Sequence, residues 1–176
     1  MSAGQGARRP PDSLARYLRN HYSASRGGLD LFRRSAQGQS DAQVRRVLAE
    51  LADQVAEDRA ALLAIMVGLG IERSAWQERL VALGERAGRL KPNGSLLQRS
   101  RLSDYLELEA LSAAVQAKAL AWGSLRALAD LDARLPAAHL DRLLERAHDQ
   151  RQRLEEMRLA MAPDVLLPGR TVEDRP

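Results

Sequence analysis

The chain of 176 residues has no cysteine, which excludes a disulfide framework, a zinc ribbon and a thiol nucleophile together. Aromatic residues are 3% of the total, too few for the stacking platforms on which single-stranded nucleic acids are bound. Lysine is nearly absent, with only Lys91 and Lys118, so almost all the basic charge is arginine. No run of about twenty apolar residues occurs, so a membrane-spanning helix is not expected. The Gly-, Arg- and Pro-rich start from Met1 to Asp12 lacks the apolar stretch of an export signal. These features point to a soluble, cytoplasmic protein. Phosphate loops, Gly-x-Gly-x-x-Gly, His-Glu-x-x-His and Gly-x-Ser-x-Gly are missing too, and with them the signals of several enzyme classes.

What remains is rich in Ala, Leu and Arg, side chains that lose little freedom on entering a helix. The net charge is +4, yet residues 1–34 hold seven Arg against Asp12 and Asp30, so the rest of the chain carries a net −1. Arg19, Arg26 and Arg33 recur every seventh residue, which reads as a solvated helix face. Phosphates or acidic lipids could meet that stripe, but without a reading helix the arginines are a weak signal for nucleic acid.

Apolar periodicity divides the chain into helices. Residues 1–12 read as a disordered basic start, 13–162 as the helical domain and 163–176 as a flexible tail. The first helix is capped at Asp12 and runs to about Ala36 with a stripe of Leu14, Leu18, His21, Ser25, Gly28 and Phe32. Ser40 and Gln43 read as the capping box of a second, ending near Gly68 or Gly70, with a stripe of Val44, Leu48, Leu51, Val55, Asp58, Leu62 and Ile65. Ser74 and Gln77 suggest a short helix to about Leu90, stopped by Lys91-Pro92-Asn93-Gly94. A long helix follows from about Ser100 to Leu131, and the last runs from Pro136 to just before Pro163 along Leu140, Leu143, Ala147, Gln150, Leu154, Met157 and Met161. The fold class is therefore all-α, a four-helix bundle with an additional short helix between the second and third long ones.

The helix beginning at Ser100 is apolar on two sides. Leu102, Leu106, Glu109, Ala113, Gln116 and Leu120 read as its core stripe; Leu108, Leu111, Val115 and Trp122 form a second face. That second face is expected to be an interaction surface, buried in a homodimer. Lys118 lies on the same side, where it can snorkel to solvent or reach an acidic neighbour.

Polar residues on the core stripes are the informative ones: His21, Asp58, Glu109 and Gln150, one on each long helix. In an up-down-up-down bundle they fall in neighbouring layers, and Gln116 can join them. Such groups are costly to bury alone, so they are expected to form a hydrogen-bonded network that fixes helix register. Alternatively His21, Asp58 and Glu109 offer three ligands to iron, manganese or zinc. A crossover connection that made the second and third helices parallel would instead carry Glu109 away from Asp58.

Tyr17-Leu18 with His21, Gly27-Gly28-Leu29, Glu57-Asp58-Arg59-Ala60-Ala61-Leu62, Leu90-Lys91-Pro92-Asn93-Gly94, Leu106-Glu107-Leu108-Glu109-Ala110-Leu111 and Asp149-Gln150-Arg151 resemble the ferritin-like superfamily. The resemblance is to its small actinobacterial four-helix-bundle members and covers about residues 13–162. It implies the bundle fold. Di-iron members place a Glu-x-x-His on each of two helices, whereas here Glu145-Arg146-Ala147-His148 alone has the spacing and projects away from the stripe. The expected function is thus a non-catalytic bundle acting through protein contacts, with a core metal (iron or manganese) as the alternative and weak binding of nucleic acid or anionic surfaces as a second one.

Overall fold

The computed structural model describes residues 10–72 and 100–169, and the helix expected over Ser74 to Leu90 lies outside them. Four long helices account for nearly all the described residues: α1 (Asp12–Gly38), α2 (Ala42–Gly68), α3 (Arg101–Ala129) and α4 (Ala137–Leu166). No strand occurs among these residues. None of the helices is long and apolar enough to cross a membrane.

The helix ends show local chemistry at work. α2 is capped by Asp41, not by Ser40: the Asp41 carboxylate accepts from the backbone N–H of Gln43 at 2.7 Å and of Val44 at 3.0 Å. Ser40 turns away and donates its hydroxyl to Asp104 at 2.7 Å. The other end of α2 closes on a Schellman motif. Ile71 N–H reaches back to Met66 O at 2.9 Å and Gly70 N–H to Val67 O at 2.9 Å, which requires the φ of +71° that Gly70 adopts. Ser100 caps α3 by accepting from Ser103 N–H at 3.1 Å. α4 continues through Pro163 to Leu166, beyond the residue where the sequence pattern ends it. Asp164, within that last turn, meets Arg101 at 3.3 Å.

The helices form two antiparallel pairs, α1 with α2 and α3 with α4, which meet each other along α1–α3 and α2–α4. Side-chain bonds fix the directions. Tyr17 meets Ser124 at one end of the α1–α3 seam, and Ser35 meets Glu107 at the other, so α1 and α3 are antiparallel. Glu50 pairs with Arg153 and Gln54 with Gln150, so α2 and α4 are antiparallel as well. It follows that α2 and α3 run parallel across the diagonal. Glu72, whose carbonyl accepts from Arg19, and Ser100 therefore stand at opposite ends of the bundle, separated by about the length of α3, roughly 43 Å.

One core unites all four helices, with Phe32, Leu48, Leu51, Leu108, Leu111, Trp122, Leu140 and Leu143 among its fully enclosed side chains. This reverses the expected assignment of the faces of α3. Leu108, Leu111, Val115 and Trp122 are core residues and not an intersubunit surface, in register with Tyr105, Ala119 and Leu125. The presumed core stripe faces outward instead: Leu102, Leu106 and Leu120 are 48%, 52% and 61% exposed, with Glu109, Ala113 and Gln116 exposed between them. The reason is energetic. Facing that stripe inward would enclose Glu109 and Gln116 in the middle of the helix, whereas on the face through Trp122 the buried carboxylate, Asp104, lies in the first turn and is bonded by Ser40.

Candidate functional site

Asp58 lies between Val55 and Leu62 on the buried face of α2, and helical periodicity leaves it no route to solvent; its side chain is 1% exposed. Gln150 is enclosed in the same manner between Ala147 and Leu154 on α4. Two cations meet this carboxylate. Lys118, on α3, extends across the diagonal and donates to Asp58 Oδ2 and Gln150 Oε1. Arg146, on α4, donates to Asp58 Oδ1 and, at 2.8 Å, to the outward-facing Glu57. The Gln150 amide closes the network by donating to Gln54 at 3.0 Å and to Asp58 Oδ2 at 3.3 Å.

Both oxygens of Asp58 therefore accept charge-assisted hydrogen bonds, the stronger kind. Burial holds the Lys118 ammonium below its ordinary pKa of 10.5, against the upward pull of the Asp58 charge. Lys118 reaches its acidic neighbour, as its position on the helix allowed.

Beside this network lies a cavity of about 190 Å³ among α1, α2 and α3, with His21, Lys118, Asp58 and Trp122 in its lining. His21, half-buried, packs edge-on against Tyr17 with ring centroids 4.5 Å apart, and burial lowers its pKa from 6.5. His21, Ser25 and Gly28 thus lie on the inner side of α1, but they face a space and not a packed neighbour. Arg59 stands over the Tyr22 ring at 3.9 Å and touches Ser25 at 3.5 Å.

The expected cluster of His21, Asp58, Glu109, Gln150 and Gln116 is only partly assembled. Asp58 and Gln150 are bonded, and His21 lines the same cavity as Asp58. Glu109 is not with them: it lies nine residues before Lys118, roughly 13 Å along α3, where it is half exposed and 3.5 Å from Arg158. Gln116 points outward. The parallel run of α2 and α3 causes this separation, because it places Lys118 and not Glu109 at the level of Asp58. His21, Asp58 and Glu109 consequently do not converge, and no group of three potential metal-binding His, Asp or Glu residues occurs among the described residues.

Two polar connections were not foreseen. Buried Asp104 accepts from both the backbone N–H and the hydroxyl of Ser40, tying the start of α3 to the α1–α2 turn. Arg158 joins Tyr105 and Glu155 toward the C-terminal end of α4, at the same end of the bundle. Asp104 directly precedes Tyr105 on the core side, so a search of the second face of α3 for polar residues would have found it. The stripe of exposed arginine holds at Arg26 and Arg33, whereas Arg19 is half-buried against Glu72. Compared with family models, with curated proteins and with solved structures, the chain matches none.

Proposed function

We propose that this chain is a non-catalytic, ferritin-like helical bundle that acts through protein contacts, with self-association as the first of these, and that its buried polar network is structural. The observation that carries the reading is the saturation of Asp58. A carboxylate that accepts from Lys118, Arg146 and Gln150 already has its charge balanced by side chains of this chain, so its chemistry calls for no cation from outside. Such a network sets register: sliding α3 or α4 by one turn would strand Lys118 or Gln150 without a partner. The likeness to ferritin-like proteins is supported by the parallel α2 and α3, a topology that one long crossover produces.

The outward stripe of Leu102, Leu106 and Leu120 supports a role in contact, since three large apolar side chains on one helix face are available for burial. The decisive experiment joins metal titration to sedimentation. Iron(II), manganese or zinc added to chelator-treated protein should leave the thermal midpoint unchanged, and Leu106→Lys with Leu120→Lys should shift any oligomer toward monomer. Saturable stabilisation by one equivalent of metal, lost in Asp58→Asn, would overturn the structural assignment. An oligomer indifferent to both leucine substitutions would remove this face of α3 from the contact.

A further inference from the structure

We propose that the cavity among α1, α2 and α3 is a binding site for a small monocarboxylate with an apolar body, of about the size of benzoate. Size comes first. The space is about 190 Å³, and a dry apolar cavity of roughly 150 Å³ in another protein admits benzene. The walls suit such a body: Phe32, Val55, Leu62 and Val115 are apolar, and Ala121 is small. Access is provided by small residues as well. Ala24 and Ala117 are exposed and Gly28 half-buried, and a Cβ placed on Gly28 would meet no atom within 4 Å.

The polarity of the ligand follows from the hydrogen bonds left unmade. Lys118 has three protons, of which Asp58 and Gln150 take two. Trp122 also contributes to the lining, but its indole N–H is closed off from the space, so the third Lys118 proton is the charged donor that a ligand can meet. On the accepting side each Asp58 oxygen is already engaged. The charged group with spare capacity in the cavity is therefore a donor, Lys118, and a ligand that uses it must bring an acceptor. Charge agrees: Lys118 and Arg59 face the cavity against the one carboxylate of Asp58, so a single negative charge is the complement. A cation would instead meet the like charges of Lys118 and Arg59, and a purely apolar guest would leave the third Lys118 proton unused.

Benzoate is the probe and benzylamine, a cation of the same size, its control. Binding is followed in the full chain through the Trp122 indole resonance, with Trp76→Phe removing the other indole. Benzoate should shift that resonance saturably, and benzylamine should bind at least about tenfold more weakly, the factor one hydrogen bond to a charged group supplies. Gly28→Leu fills the mouth without touching the polar network, and it replaces a poor helix former by a good one. It should abolish binding with no loss of thermal stability. Lys118→Met should weaken benzoate by about tenfold or more. If the Trp122 resonance does not respond to benzoate up to about 10 mM, a range in which even weak specific sites fill, the site does not exist. If Gly28→Leu, folded by circular dichroism, still binds benzoate, the ligand lies elsewhere. Equal binding of benzoate and benzylamine would refute the assignment of charge.

Discussion

Replacing Asp58 by Leu tests whether the polar network holds the bundle together, because it removes the one anion that two enclosed cations share. After the change Arg146 keeps Glu57 at 2.8 Å and, being 29% exposed, can turn toward water. Lys118 cannot do so easily: its side chain is 17% exposed and its amine would keep only Gln150 as an acceptor. Stranding a buried charge costs about 3–5 kcal/mol, and the remaining exposure and the flexible stem of Lys118 place the expected loss near the lower bound, about 3 kcal/mol. Lys118→Met differs in kind. Asp58 then keeps Arg146 and Gln150, while the cost of burying the ammonium disappears, so about 1–2 kcal/mol should be lost. The double variant Asp58→Leu with Lys118→Met strands neither partner and should fall within about 1 kcal/mol of the unmodified chain. Urea unfolding at a constant m-value measures all three, and for a domain of this size 3 kcal/mol is roughly 6–12 °C in midpoint temperature. Asp58→Leu within about 1 kcal/mol of the parent, or losses that simply add in the double variant, would refute the structural role.

The remaining expectations probe separate parts of the bundle. His21 binds protons less readily when folded, because burial lowers its pKa from 6.5. The unfolded chain then holds more protons between that lowered value and 6.5, so stability should decline as pH falls through this window and level off beneath it; His21→Gln should flatten that part of the profile. Ser100→Ala removes the acceptor for Ser103 N–H and should cost about 1 kcal/mol in chemical denaturation. Trp122→Ala should cost about 3–5 kcal/mol, whereas Leu120→Lys, at a position 61% exposed, should leave monomer stability within about 0.5 kcal/mol. The opposite ranking in a thermal melt would restore the other face of α3 to the core.

The four helices were legible because their signals are local: apolar period, a Schellman glycine at the end of α2 and a Ser cap at the start of α3 each act within a few residues. Asp58 and Gln150 were legible for the same reason, since each interrupts an otherwise apolar stripe. The faces of α3 were not. Both its sides carry leucines, and the choice between them depends on what the other three helices present, which a single helix does not encode. Glu109 was misplaced as a consequence, because it belongs to the face that turned out to be solvated. The cap of α2 was misread by one residue: Ser40 and Asp41 are both good caps, and only the distant Asp104 decides that Ser40 bonds elsewhere. Arg146 was passed over because it lies beside the stripe of α4, yet a long side chain reaches a buried carboxylate from the stripe's edge.

The connection between α2 and α3 determines more than the order of the helices. Had they been antiparallel, Lys118 would have stood away from the layer of Asp58, and Glu109, which would have come level with it, lies on the solvated face of α3. With α2 and α3 parallel, the same layer receives Lys118 instead. A carboxylate facing an ammonium and a guanidinium is balanced within the chain, and the surplus positive charge is taken up by Glu57 at the surface. The seam between α1 and α3 then becomes the place where the layer stays open, because its residues there are Ala24, Gly28 and Ala117. Thus the parallel run of α2 and α3 gives Asp58 its ammonium partner from within the chain and leaves a layer that is neutral, hydrogen-bonded and bordered by a space on which Lys118 has a proton to spare.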